Sequence, residues 1–267
     1  MHIDRLLAEI AERVPQGKTL TISSCWTQGR TVFGGLSAAL LSDAMQTLVS
    51  DSQRLLRSLS TSFVGPLLAD MPFSIELELL RTGNNASHIN ARIVQAGQVA
   101  VTQQASFALP RNSRLVVNSQ MGHQLSLPER LAILPDVEGL IPRYMQHIDL
   151  ALAAGGLPYS ASQDSHLHGW MRFKQPPRAF SDAHLICLVD AWPPAVIQMM
   201  KQRAPASSMT WNLEFVHPQR TVAASDWLAY QAQTRQAADG YAHCEANIWD
   251  RDGELLAISR QMVTVFD

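Results

Sequence analysis

The chain has few of the features that mark several broad classes of protein. Its cysteines number three in 267 residues, and Cys25, Cys187 and Cys244 form no CxxC pair, so neither a disulfide framework nor a zinc site is expected. Charged residues make up 16%, the formal net charge is −2, and no Lys/Arg run predicts binding to nucleic acid. The apolar runs are too short to span a membrane, and the first residues do not resemble a signal peptide, which indicates a cytoplasmic protein.

Several site motifs are also missing. His166 and His168, the closest pair of histidines, have no third ligand at a metal-site spacing, so we expect no metal and no cofactor. No G-x-S-x-G elbow occurs, because the segment Gly35-Leu36-Ser37-Ala38-Ala39 lacks the last glycine, and this disfavours an α/β-type serine hydrolase. Neither G-x-G-x-x-G nor a P-loop is present, so those nucleotide-phosphate sites are excluded.

What the chain does have is a hydrophobic content of 46%, enough for a sizeable core, and two very apolar helical segments. SDAHLICLVDAW (residues 181–192) carries Asp190, and GGLSAALLSDAMQTLV (residues 34–49) carries Asp43. Ser181 is suited to cap the first of these, and Pro193-Pro194 should end it. A carboxylate in such surroundings needs hydrogen-bond partners or a shifted pKa. Asp190 is therefore either a structural cap or a functional group.

The segments around these helices predict an α+β fold. Residues 2–14 have the spacing of an amphipathic helix, and a short strand is expected near Thr19 to Trp26. PFSIELELL (residues 72–80) alternates apolar and polar residues as a half-buried strand does, and turns then separate further antiparallel strands. A second meander of strands follows residue 209.

Residues 110–165 differ from the rest because prolines and a Gly155-Gly156 pair interrupt them. Modest helical patterns occur in LPERLAIL and in PRYMQHIDLALAA, and we interpret the segment as a partly ordered connection. The predicted organisation is a first unit at 1–109, with the N-terminal amphipathic helix, a connecting segment at 110–165 and a second unit at 166–267.

The two units can be aligned as an internal repeat, with offsets that differ by only about five residues at each step. The matched pairs are Phe63-Val64-Gly65-Pro66 with Phe215-Val216-His217-Pro218, Asp43-Ala44 with Asp190-Ala191, and Gln104 with Gln261. A unit of one buried helix and about five strands, present twice, is best satisfied when each sheet wraps its helix and the sheets join edge to edge.

This order of segments resembles the double hotdog of the acyl-CoA thioesterase II family. In the first repeat the resemblance is carried by VFGGLSAAL, SLSTSFVGP, LLRTGNNASHINARIVQAG and ASF, and in the second by LVDAW, SSMTWNLEFVHP, the DxDG hairpin and ISRQ. The resemblance implies an acyl-CoA substrate, a catalytic site in the second hotdog, and three site residues. These are Asp190, Ser208 and Gln261, with Thr210 as the rival hydroxyl if the strand register differs by two.

The implied chemistry is direct hydrolysis of a thioester. A water held by a carboxylate, a hydroxyl and an amide can attack the carbonyl, with the carboxylate as general base. Backbone N–H groups at the start of the central helix would stabilise the oxyanion. In the first repeat Asp43 and Gln104 are kept, but Leu56 occupies the position of Ser208, so that repeat is expected to be structural.

Two alternatives follow from the same sequence. A hotdog hydratase would need a catalytic histidine, and His184, the nearest one, lies almost two helical turns from Asp190. A protein that keeps the fold but only binds an acyl ligand is the competitor from another functional class. Sheet edges that need to be covered predict a homo-oligomer in either case.

Overall fold

The fold is described from a computed structural model for residues 1–119, 122–137, 139, 141–219 and 221–266. The α-helices of this part of the chain are α1 (Ile3–Arg13), α2 (Gly34–Gln46) and α3 (Asp182–Val189). Short 3₁₀ helices cover Val14–Gln16, Ser24–Trp26, Pro128–Arg130, Arg143–His147 and Ala195–Gln198. The first strands are β1 (Thr27–Gln28), β2 (Thr31–Val32), β3 (Leu55–Phe63), β4 (Ser74–Thr82), β5 (Ala86–Gln95) and β6 (Gln98–Ala108). They are followed by β7 (Ile148–Gly155), β8 (His166–Phe173), β9 (Ala206–Phe215), β10 (Leu228–Ala238), β11 (Tyr241–Trp249) and β12 (Leu255–Val265).

Ten of these strands form one antiparallel sheet in the order β4-β5-β6-β3-β9-β12-β11-β10-β8-β7. The two repeats meet where β3 pairs with β9, and there Ser58 lies opposite Glu214 while Ser62 lies opposite Thr210. Thr210 and Glu214 lie 152 residues after Ser58 and Ser62, so the pairing is symmetric between the repeats. The same offset separates the two FVxP segments. The expected α+β double hotdog, with its sheets joined edge to edge, is confirmed.

Both central helices are buried on almost every side. In α3 every residue from Ala183 to Val189 is buried, and α2 packs against α3 as well as against β5 and β6. Helices without a polar face are stable only inside a core, which explains why the apolar sequences at 34–49 and 181–192 lie between the sheet and each other. No helix in the described ranges is long and apolar enough to cross a lipid bilayer.

Helix α1 covers the open side of this core. Ile3, Leu6 and Ile10 are buried, as their spacing predicts, and Asp4 on the same helix reaches α3. The Asp4 carboxylate lies 2.9 Å from Nε2 of His184, whose Nδ1 accepts a hydrogen bond from the backbone N–H of the N-cap residue Ser181. Burial lowers the pKa of His184, so the imidazole joins the two helices in its neutral form.

The connecting segment is more regular than predicted. The helical pattern expected in residues 142–154 is wrong, because only Arg143–His147 is a 3₁₀ turn and Ile148–Gly155 is strand β7, paired with β8. Its alternation of Ile148 and Leu150 with Asp149 suits an edge strand that buries one face. The helix expected near residue 130 is reduced to Pro128–Arg130. The boundary predicted at residue 166 stays a prediction.

One expected strand is also absent from its predicted place. Residues 19–26 contain an isolated bridge between Leu20 and Phe73 and the 3₁₀ turn Ser24–Trp26 instead of a continuous strand. The chain turns there because Trp26 is fully buried beneath the N-terminus, with its indole N–H donating to the carbonyl of Met1 at 2.8 Å.

A second, smaller core lies on the outer face of the second hotdog. Trp170, Trp227 and Trp249 form it with Ala151 and Ala229, and leucines of the connecting segment pack against it. The indole N–H of Trp170 donates to the carbonyl of Ser126 at 2.8 Å. The connecting segment therefore covers an apolar sheet face that would otherwise contact water.

The contact between α1 and α3 can be tested by Asp4→Ala. The variant should lower the free energy of unfolding by about 1–3 kcal/mol, because the buried His184 loses its partner. Urea denaturation measures this loss, and Glu12→Ala on the exposed face of the same helix is the control, expected to stay within about 0.5 kcal/mol. Equal effects of the two variants would contradict the role given to Asp4.

Candidate active site

Asp190 lies where the helix of the second hotdog ends. It is the C-cap of α3, with φ −88° and ψ 2°, and the chain turns away immediately after it. One oxygen of its carboxylate accepts a hydrogen bond from Nε2 of Gln261 at 2.8 Å, and the carboxylate also accepts from the backbone N–H of Gly35. Asp190 therefore joins α3, strand β12 and the first turn of α2.

The first turn of α2 can approach Asp190 because it begins with two glycines. A Cβ on Gly35 would lie 2.8 Å from Cβ of Asp190 and 2.9 Å from the carbonyl oxygen of Cys187. A Cβ on Gly34 would lie 3.0 Å from the second carboxylate oxygen and 3.1 Å from the ring of Phe63. Only glycine fits the space at position 35, so the FGG segment is explained by this contact.

The helix start beside Asp190 belongs to the first repeat. The sequence predicts oxyanion-stabilising N–H groups at the start of the central helix and the whole site in the second hotdog. In the structure α3 ends at Asp190, and the positive end of a helix dipole is supplied by α2. The candidate site therefore lies between the two hotdogs.

Burial raises the pKa of Asp190 to about 7, and the hydrogen bonds from Gln261 and Gly35 oppose this shift. No cation among the described residues contributes to that pKa. At neutral pH the side chain is thus close to half ionised, which is the range in which a carboxylate can accept a proton and release it again.

Gln261 occupies the inner face of β12. Ser259 and Val263 on either side of it point to the same face and are buried, and Gln261 lies opposite Trp211 of β9. An amide in this apolar row would lack partners without a second polar group, and the carboxylate of Asp190 provides one. The sequence predicted both residues as site residues, and the structure brings them together.

The hydroxyl residues Ser208 and Thr210 lie on opposite faces of β9. Thr210 is opposite Met262, whereas Ser208 is opposite the buried Val263, and a register shift of one residue separates the two pairs. Ser208 is on the inner face with Gln261, although it makes no hydrogen bond with Asp190 or Gln261. Residues two apart in a regular strand face the same side, and this β-bulge therefore separates the rival hydroxyl of Thr210 from Ser208.

The repeat alignment also changes at one position. In the first hotdog Leu56 lies opposite Phe107, at a bulge matching that of β9, and Ala105 occupies the register position of Gln261. Gln104 is exposed on the outer face, so its match with Gln261 is wrong by one residue. The neighbouring Gln103 is 2% exposed and donates to Oγ1 of Thr61 at 2.9 Å.

Asp43 has different surroundings from Asp190. Burial alone raises the pKa of Asp43 to about 6, with no hydrogen bond to oppose the shift. Helix α3 begins with Asp182, whereas α2 begins with Gly34. The carboxylate of Asp182 at the start of α3 would repel a developing oxyanion.

Tyr144 supports the site, and its role was not predicted from the sequence. Its ring stacks on Phe33 with centroids 4.0 Å apart, and its hydroxyl donates to the carbonyl of Ala191 at 2.9 Å. Phe33 precedes Gly34 and Ala191 follows Asp190, so one side chain of the connecting segment holds both sides of the site. Nothing in the local sequence distinguishes this tyrosine.

Comparison with protein families decides which family carries this arrangement. The model of the acyl-CoA thioesterase N-terminal domain matches residues 22–108, and that of the C-terminal domain matches residues 128–265. The chain belongs to the acyl-CoA thioesterase family. A search of curated protein sequences found no match.

Solved structures show the same fold over nearly the whole length of this thioesterase-family chain. A conserved protein of unknown function with hot dog fold from Alicyclobacillus acidocaldarius is 25% identical, with a TM-score of 0.78 over 94% of this chain and 92% of that one. The tesB protein of Mycobacterium avium subs paratuberculosis is 17% identical, with a TM-score of 0.79 over 100% of both chains. Acyl-CoA thioesterase II TesB2 of Mycobacterium marinum is 19% identical, with a TM-score of 0.75 over 99% of this chain and 98% of that one.

In the described part of this family member, no three His, Cys, Asp or Glu side chains are grouped as metal ligands would be.

The close approach of α2 to Asp190 can be tested by Gly35→Ala. The added methyl group would overlap Asp190 and a backbone carbonyl, and we expect the free energy of unfolding to fall by about 1–3 kcal/mol. The control is Gly83→Ala, where a Cβ meets nothing closer than 3.8 Å and φ is not positive. Thermal and urea denaturation of both variants measure the effect, and an undiminished stability of Gly35→Ala would show that the contact is not tight.

Proposed function

We propose that the protein is an acyl-CoA thioesterase that hydrolyses an acyl-CoA to a free acid and CoA by direct attack of a water held by Asp190, Ser208 and Gln261. The observation that carries this proposal is the carboxylate of Asp190, which has a pKa of about 7, is hydrogen-bonded to an inward-facing glutamine and lies at the positive end of a helix. This set of groups supports a general base next to an oxyanion site.

The reaction needs one proton carrier. Asp190 takes a proton from water as the water oxygen bonds to the thioester carbonyl carbon, and the carbonyl oxygen gains the negative charge. Collapse of the tetrahedral intermediate breaks the C–S bond, and the proton on Asp190 passes to the departing thiolate. A thiolate leaves without strong acid assistance because a thiol has an ordinary pKa of about 8.5.

The first turn of α2 would hold the oxyanion. The backbone N–H of Gly35 donates to Asp190. The N–H groups of Gly34 and Leu36 lie in the first turn of the helix, where backbone N–H groups have no acceptor within the helix. In this role Gln261 orients the carboxylate through its amide N–H, and Ser208 on the same face of the sheet holds the attacking water from the other side. The aligned positions in the first hotdog, Ala105 and Leu56, cannot do this.

The second candidate is a non-catalytic protein that binds an acyl-CoA in the same fold. It is favoured by the absence of a hydrogen bond between Ser208 and Asp190. Release of CoA from a panel of short, medium and aromatic acyl-CoAs separates the two: cleavage supports the enzyme, and binding without cleavage of any thioester supports the binder.

The biological setting remains part of the proposal. Strand β4 lies at one end of the sheet and β7, which Ile133 bridges at Ala151, lies at the other, and sheet edges of this kind support a homo-oligomer that covers them. The sequence composition supports a cytoplasmic protein without bound cofactor, and membership of the acyl-CoA thioesterase family supports a role in fatty acid metabolism. We retain 1–109 and 166–267 as the two hotdog units and 110–165 as the connecting segment.

The role of Asp190 is tested by the dependence of kcat on pH. A carboxylate acts as a base only when ionised, so the rate should rise with pH and level off above about 7. Asp190→Asn should lower kcat by about 10²- to 10⁴-fold at the plateau, while binding of acyl-CoA persists. A variant with unchanged turnover, or a rate independent of pH between 5 and 9, would rule out this base.

The choice of hydroxyl is tested by a pair of variants on β9. Ser208→Ala should lower kcat about tenfold or more, because a hydrogen bond to the attacking water is lost. Thr210→Val should change kcat less than about twofold, because that side chain is on the outer face. Steady-state kinetics with one acyl-CoA measures both, and the reverse order of effects would assign the hydroxyl to Thr210.

A further inference from the structure

The helix of the second hotdog ends earlier than that of the first. Helix α2 has 13 residues and continues past Asp43, whereas α3 has 8 and ends before Asp190. The space beyond Asp190 is filled by Trp192, whose ring stacks on Tyr230 with centroids 6.4 Å apart and planes at 20°. These two rings are here called the aromatic wall, and Trp192 lies two residues after the proposed base, Asp190.

The aromatic wall fits against a glycine of β8. A Cβ on Gly169 would lie 2.4 Å from Cζ2 of Trp192, and Gly169 is the direct partner of Tyr230 across the strands. The indole therefore occupies the inner face of the sheet where a side chain of β8 would otherwise lie.

Trp192 carries a polar group without a partner. Its side chain is buried, with the residue 4% exposed, and its indole Nε1 makes no hydrogen bond within the described residues. Three other tryptophans of the chain are satisfied at 2.8 Å: Trp26 by the carbonyl of Met1, Trp170 by that of Ser126, and Trp211 by Oγ of Ser259. A buried donor left unpaired is costly, so Trp192 stands out as a group suited to an external acceptor.

Tyr230 adds a second donor on the same wall. Burial, with smaller contributions from Cys244 and Asp190, raises the pKa of its phenol, so the hydroxyl keeps its proton. No hydrogen bond from this hydroxyl to a described residue is found, whereas the hydroxyl of Tyr144 donates to the carbonyl of Ala191. Two ring donors beside the proposed base thus lack acceptors among the described residues.

The chain after Trp192 closes the space behind the wall. In the 3₁₀ turn Ala195–Gln198, Val196 and Ile197 pack on Ala242, Cys244 and Val263 of β11 and β12. Gln198, which is 1% exposed, donates to the carbonyl of His166 at 2.7 Å and so fixes this turn to β8. These buried side chains occupy the inner face behind the wall, where a long alkyl chain would have to displace them.

The charge of the site determines which kind of acceptor the donors of the wall can bind. Asp190 is held by two neutral donors, and no cation among the described residues acts on it. A second carboxylate beside it would be repelled, whereas an uncharged oxygen would be accepted.

We propose that Trp192 and Tyr230 select the acyl group of the substrate, favouring a short acyl chain with an uncharged oxygen substituent, a hydroxyl or a carbonyl, over an unsubstituted chain of the same length. This inference rests on the proposed thioesterase function and names its substrate class. A site with donors built to meet a substrate oxygen discriminates against the analogue that lacks it, because the donors are then left unpaired.

The test compares kcat/KM of the purified protein for 3-hydroxybutyryl-CoA, acetoacetyl-CoA, butyryl-CoA and palmitoyl-CoA. We expect the oxygenated four-carbon thioesters to exceed butyryl-CoA by about tenfold or more, and palmitoyl-CoA to be the poorest substrate. Tyr230→Phe keeps the ring and Trp192→Phe replaces the indole with a smaller aromatic ring, and both remove the donor, so each should bring the ratio of oxygenated to plain substrate towards one. Trp170→Phe, which alters a satisfied indole on the outer face, should leave that ratio unchanged.

Equal kcat/KM for butyryl-CoA and its oxygenated forms, efficient cleavage of palmitoyl-CoA, or ratios unaffected by both wall variants would overturn the substrate class while leaving the thioesterase function intact. Cleavage of no thioester would instead defeat the proposed function. In that case calorimetric dissociation constants of the same four thioesters, for the wild type and the two wall variants, decide the inference by the same ratios.

Discussion

The carboxylate of Asp190 is held against the first turn of α2, and the candidate site depends on this contact between the two repeats. Burying a carboxylate in an apolar core is unfavourable, and the chain offsets the cost with Gln261, the N–H of Gly35 and the dipole of a helix. The offset is incomplete, which is why the pKa of Asp190 rises to about 7. The same incompleteness suits the group to the proposed role of base, since a fully stabilised carboxylate would have little affinity for a proton.

The contact is possible because the repeats are joined strand to strand. Pairing of β3 with β9 sets the ten strands in one sheet and places both central helices on its inner face, where the end of α3 meets the beginning of α2. The first repeat does not reproduce this arrangement, because α2 continues past Asp43 and α3 begins with Asp182. Ala105 and Leu56 there occupy the register positions of the amide and the hydroxyl. The complete set of polar side chains thus belongs to the second repeat.

Much of this could be predicted from the sequence because hydrophobic periodicity and the repeated FVxP segment determine the order of elements. The offset of 152 residues between those segments reappears where β3 pairs with β9, since Ser58 and Ser62 pair with Glu214 and Thr210, which lie 152 residues after Ser62 and Ser58. The predictions from sequence were wrong where a shift of one residue changes the face of the strand on which a side chain lies. Gln103 and Gln104 are chemically identical neighbours, and only the register shows which is buried. The bulge that separates Ser208 from Thr210, and the role of Tyr144 across the site, have no local signal because they depend on pairing partners distant in the chain.

The early end of α3 links the base to the aromatic wall. Had the helix continued as α2 does past Asp43, the residue two places after Asp190 would lie about 200° around the helix axis, on the face opposite to Asp190. Two prolines directly after Trp192 prevent such a continuation, because the ring of proline excludes the preceding residue from helical geometry. The sequence WPP therefore does two things through one constraint. It leaves the carboxylate at a helix end, where another helix can hold it, and it turns the indole into the space beside it.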